Sequence, residues 1–164
     1  MKKYLLIATV FLAGLISLPA FAISDVQKSS ITDNCSTIKE NLEKIQKSDA
    51  RARVYLGSYY EVILTKFITP LNVRLVENNL STADLVENQN EFADAKSVFT
   101  NDYISYQQHL EDLVTIDCKS EPEAFYDKLI KVRQKRKIME QDVLKLRTLI
   151  SQHIKLVDGI KGKL

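Results

Sequence analysis

The sequence predicts an all-α fold: an elongated antiparallel three-helix bundle, up-down-up and coiled-coil-like, preceded by a signal peptide. Three observations carry that expectation. Of the 164 residues, those after Ala22 include only Gly57, Gly159 and Gly162 as glycines and only Pro70 and Pro122 as prolines, too few to punctuate a chain of short strands. Apolar residues recur at three-four and seven-residue spacing over long stretches. Clusters of breaking residues interrupt that spacing at only two places.

At the N-terminus, Met1-Lys2-Lys3 supplies a positive start, Tyr4 to Leu18 is uncharged and mostly apolar, and Ala20-Phe21-Ala22 presents small residues two apart. This is the pattern of a secretory signal cleaved after Ala22. An uncleaved anchor is the competing reading, since the uncharged run continues to Ser24; Pro19 and the Ala-x-Ala pattern speak against it. No cysteine follows at a lipoprotein acylation position. The expected location is the bacterial periplasm or the cell exterior. Without residues 1–22, bases and acids balance at 21 each.

Residues 23–33 are expected to be a flexible leader, 34–158 the bundle and 159–164 a flexible tail, with helices at about 34–78, 82–116 and 121–158. Helix 1 carries Ile38, Leu42, Ile45, Ala52, Leu56, Tyr59, Ile63 and Phe67, interrupted by Ser48-Asp49, and Pro70 should distort it near Lys66. Asn78-Asn79 with Ser81-Thr82-Ala83-Asp84 forms the first break. Helix 2 repeats Leu85, Phe92, Phe99, Tyr106 and Leu113 every seven residues, with Asn88 expected to face outward. The second break, Asp117 to Glu123, offers Ser120 and Glu123 as a capping box and Pro122 in the first turn. Helix 3 carries Phe125, Val132, Met139 and Leu146 in one row, and Leu129, Val143, Ile150 and Val157 in a second that Arg136 breaks.

Short connections make neighbouring helices antiparallel. A turn near residue 119 then sets Leu113 against Phe125, Tyr106 against Val132, Phe99 against Met139, Phe92 against Leu146 and Leu85 against His153. A turn near residue 79 or 80 sets Phe67 beside Phe92, Tyr59 near Phe99 and Tyr55 near Tyr103. The same folding returns Cys35 and Cys118 to one end, where an exported chain is expected to join them in a disulfide. A redox pair or a metal site is a weaker reading, for there is no Cys-x-x-Cys and no histidine at ligand spacing.

Charge is segregated by helix: the stretch 78–118 carries a balance of −7, and 119–164 one of +6, concentrated in Lys131, Arg133, Lys135, Arg136 and Lys137. An acidic helix beside a basic one would fix which neighbours pack; the alternative is that the cluster contacts an anionic partner or membrane. Gly57 within a long helix is expected either to let helix 3 approach closely or to belong with Tyr55, Tyr59 and Tyr60 to an aromatic partner surface.

No enzyme is expected. His109 and His153 fall about 36 Å apart along the rod, Ser97, Ser105 and Ser151 have no neighbouring base, and no carboxylate pair stands out. Neither a metal nor another cofactor is expected. The reading is a secreted or periplasmic non-enzymatic interaction or scaffold protein, its partner another envelope or extracellular protein. The alternative is a chaperone-like or anionic-ligand-binding module using the basic third helix or the aromatic middle. Nucleic acid is not expected as a partner. Membrane contact would come only through an uncleaved signal or the basic helix, and self-association is compatible with the same surfaces.

Overall fold

A computed structural model describes residues 23–161, nearly all of them helical, with short connections near 78–82 and 116–121 and no strand among the described residues. The expected signal segment, residues 1–22, and the last three residues of the expected tail lie outside that range. Helices α1 (Asp25–Asp33), α2 (Cys35–Val62) and α3 (Thr69–Glu77) follow nearly end to end, with a π-helical segment at Ile63–Ile68 between the last two. Helices α4 (Ala83–Thr115) and α5 (Pro122–Lys161) complete the order.

The expected flexible leader is instead α1. The Ser24 hydroxyl accepts the Gln27 N–H and the Gln27 side chain accepts the Ser24 N–H, a capping box that starts a helix before the first expected one. Burial of Ile31 and an ion pair from Lys28 to Glu123 hold it on α5. The expected tail is also corrected in part, for α5 runs to Lys161 and buries Ile160. The Ser120 cap is redirected: its hydroxyl bonds to the Asp117 carboxylate at 3.0 Å, while Pro122 opens α5.

Helices α4 and α5 form the main seam. Leu85, Phe92, Phe99, Tyr106 and Leu113 are all buried, as are Phe125, Val132 and Leu146 opposite. Cross-bonds from Lys128 to Asp112 (2.5 Å) and from Asn88 to Leu149 (3.2 Å) give the antiparallel register that the heptads predict. Asn88 corrects an expectation, however. It is buried, three residues after Leu85 and four before Phe92, and so on the seam itself.

Against α4, helix α2 is antiparallel as well, with Asp49 opposite Tyr106 and Glu61 ion-paired to Lys96. Phe67 departs from expectation: it is 61% exposed and leaves the proposed layer with Phe92. The π segment is the reason. Thr69 donates to Leu64 five residues back, so the turn is wider than an α turn and the inward row steps by fours, through Tyr60, Leu64, Ile68 and Asn72. Tyr60 takes the place given to Phe67, its ring edge-on to Phe92 at 6.2 Å and to Phe99 at 5.7 Å. The distortion sits next to Pro70, which cannot supply a ladder N–H. Nothing lies within 4 Å of a Cβ built on Gly57, so the close approach expected there does not occur.

Candidate functional site

Helix α2 scarcely touches α5; both lie on α4. Since each is antiparallel to α4 they run parallel to each other, and a groove opens between them with α4 as its floor. It has two chambers of about 560 and 580 Å³, the size range of small-molecule and peptide clefts. The chamber nearer α1 is walled by Ile38, Leu42 and Ile45 of α2 and by Leu129 and Val132 of α5. The farther chamber has Leu56, Phe99, Tyr103, Met139 and Val143.

A polar contact across three helices marks the boundary. Asp49 accepts the Tyr106 hydroxyl at 2.7 Å and the Arg136 guanidinium at 3.2 Å. Burial, followed by the bond to Asp49, pushes the Tyr106 phenol well above its ordinary value. Asp49 and Arg136 are the residues that interrupt the apolar rows of their helices, and each interruption meets the other.

The basic cluster divides on this geometry. Arg133, Arg136 and Lys137 line the groove and Arg53 joins them from α2, its guanidinium 5.1 Å from the Tyr103 ring centroid. Lys131 is exposed and Lys135 half-buried, and neither lines a chamber. The expected pairing of acidic α4 with basic α5 rests on Lys128 and Asp112; within the cluster only Arg136 has an ion pair, and its partner is on α2. Arg133 and Lys137 carry no ion pair among the described residues.

The aromatic surface is corrected at one residue: Tyr60 is 1% exposed and belongs to the core. Tyr55 and Tyr59 remain exposed and stack with ring centroids 6.4 Å apart. Helical spacing places Tyr59 on the side of α2 that carries Ala52 and Leu56, at the lip of the groove.

Cys35 and Cys118 are joined, with Cα atoms 5.6 Å apart, at the end of the bundle where α1 contributes Gln27, Ser30 and Ile31 to the groove lining. Beyond the groove, toward the other end of the α4–α5 seam, Asn88 donates to the Leu149 carbonyl, and its side-chain oxygen faces His153 Nδ1 at 3.1 Å. That contact makes Nδ1 the protonated nitrogen and leaves the buried Nε2 without a partner. Burial lowers the His153 pKa. His109 is half-buried, with Nδ1 on the Ser105 carbonyl at 2.8 Å, far from His153. One carboxylate pair escapes the sequence: burial, then the neighbouring Asp102, raises the Asp142 pKa. No group of three or more metal-ligating side chains occurs among the described residues, and no described helix is long and apolar enough to cross a membrane. No protein-family model, curated protein or solved structure matches the chain.

Proposed function

We propose that this is an exported, non-enzymatic interaction protein of the bacterial cell envelope or exterior, an up-down-up three-helix rod released from its signal peptide after Ala22. The α2–α5 groove is its binding surface, and the groove is the observation that carries the reading. An apolar trough walled by Leu56, Phe99, Met139 and Val143 and left open along two helices is the kind of surface a partner covers. Support for export comes from the Cys35–Cys118 bond, which persists in oxidising compartments, together with the N-terminal pattern. The residue types of an active site are scattered: His109 and His153 stand far apart, each occupied by a neighbouring polar group.

The test is site-specific photocrosslinking in cells that export the protein, with the crosslinker at Lys137 in the groove or at Lys47 on the exposed outside of α2. Discrete adducts from Lys137 and none from Lys47 are expected, along with a mature N-terminus at Ile23. Equal, diffuse labelling from both positions, or retention of the protein in the cytoplasm, would overturn the reading.

A further inference from the structure

The groove presents a specific combination of length, polarity and charge. On α2 it extends from Ile38 to Leu56 and on α5 from Leu129 to Val143, which at 1.5 Å per residue is about 21–27 Å of parallel helix. Two parallel helices resting on a common third leave the fourth corner of a four-helix bundle open, with apolar positions of all three lining it on either side of the Asp49–Arg136 ion pair that bridges its walls midway, and with Gln27, Ser30 and Ile31 of α1 lining its near end. Its rim is basic. Arg53, Arg133 and Lys137 have no carboxylate partner among the described residues, Asp49 is already engaged by Tyr106 and Arg136, and Glu140 is the one further acid among the described residues of the farther chamber.

We infer that the groove receives an amphipathic α-helix of a partner protein, some 14–18 residues long, with an apolar stripe facing α4 and acidic residues along both flanks. The inference rests on the proposed function and specifies the partner's chemistry. Charge complementarity decides between occupants. The chain's own first 22 residues carry Lys2 and Lys3 and no acid, so they do not answer this rim. A second copy would have to offer α4, the acidic helix, but α4 is the groove floor and exposes only Val86, Val98 and Ile104 as large apolar residues on its outside. Such a copy would stack head to tail without closing. A stripe of leucine-like residues between glutamates matches the apolar floor together with the basic side chains of Arg53, Arg133 and Lys137.

The probe is an 18-residue fluorescein-labelled peptide with leucines at i, i+3, i+4 and i+7 spacing and glutamates on both flanks. Its control carries lysines at the glutamate positions. Fluorescence anisotropy with the mature, disulfide-bonded protein should show the glutamate peptide binding at least tenfold tighter than the lysine peptide, and weakening severalfold between 50 and 200 mM salt. The double variant R133E/K137E should lose at least tenfold affinity for the glutamate peptide. Ala52→Glu, which places a carboxylate on the exposed wall of the farther chamber, should lose as much while keeping the circular dichroism of the parent.

Equal binding of the two peptides, binding of neither, or indifference to both variants would overturn the inference. So would displacement of an apolar dye by palmitate without peptide binding, which would make the groove a lipid site. A dimer that the peptide does not dissociate would assign the surface to a second copy and overturn it as well. Crosslinks from Lys137 in cells without binding of the glutamate peptide would leave the interaction role standing and remove only its acidic helical partner.

Discussion

The two seams along α4 differ in how regularly they are built, and the difference determines where the molecule is closed and where it is open. Toward α5, the seven-residue row from Leu85 to Leu113 meets Phe125, Val132 and Leu146 in one register, and the seam is continuous, with Asn88 and His153 as a buried polar pair inside it. Toward α2, the partner row is broken at Asp49, widened by the π turn at Ile63–Ile68 and carried past Pro70. That side holds by separate attachments: the disulfide, the Asp49–Tyr106 bond, and the Tyr60 ring between Phe92 and Phe99. A regular heptad row forces two helices together along their length, whereas an irregular one joins them at points and leaves room between.

The largest expected effect strikes both seams together. Phe92 is fully buried and touches Tyr60 on one side, with Leu146 in the same cluster. Phe92→Ala should cost about 3–5 kcal/mol in urea melts, whereas Phe67→Ala, on an exposed side chain, should stay within about 0.5 kcal/mol. Equal costs would mean that the π turn does not set the phase of α2 and α3. Next comes the disulfide, a tether of the irregular seam alone. Replacing Cys35 and Cys118 together by serine should cost about 2–4 kcal/mol and lower Tm with little change in helix content at 25 °C. A loss of most helicity would show that the α4–α5 seam does not stand by itself.

The polar interruption inside the regular seam should have a smaller effect with a pH signature. Asn88→Ala removes the bonds to Leu149 and His153 and should cost about 1–3 kcal/mol. His153 has a lowered folded pKa against an ordinary 6.5, so its contribution is complete above pH 6.5 and is lost as pH falls through the folded value, because the unfolded chain takes up the proton first. Between pH 7.5 and 5.5 the unfolding free energy should drop by at most about 1.4 kcal/mol per pH unit, and His153→Gln should flatten that slope. Asp142 has the opposite sign, its contribution present below the ordinary 3.8 and lost as pH rises through its higher folded value, so the slope is compared in the Asp142→Asn background, where only His153 contributes. The smallest effect is a gain. Gly57 lies within α2 with open space around it, and Gly57→Ala should stabilise by about 0.5–1 kcal/mol; a loss would mean that the glycine serves a bend or contact of α2.

The regular seam was legible because its signal is redundant: five heptad positions on α4 and four on α5 fix one register, and an error at one residue cannot shift it. The cysteine pairing followed from that register. The irregular seam was not legible in the same way, since one wide turn near Pro70 rotates everything after it, turning Phe67 out and Asn72 in. Asn88 was misplaced for another reason. Polarity suggested a solvent face, while its spacing from Leu85 and Phe92 put it inside. The helix before Cys35 had a readable signal in Ser24-x-x-Gln27, which the polar composition of residues 24–34 masked. As for the groove, half of its description was available: the basic cluster on helix 3 and the matching interruptions at Asp49 and Arg136. What no spacing rule reveals is that α2 and α5 stay apart, because that depends on the angles at which both rest on α4.

The chain has no tryptophan, and this gives the tyrosines of the irregular seam an optical use. Tyr60, Tyr103 and Tyr106 all sit where α2 leans on α4, and burial raises the pKa of each phenol. Alkaline titration followed by phenolate absorbance near 295 nm therefore reads the opening of that seam from within. The three hydroxyls should ionise late and together, at the pH where α2 lifts away, and earlier once the disulfide is reduced.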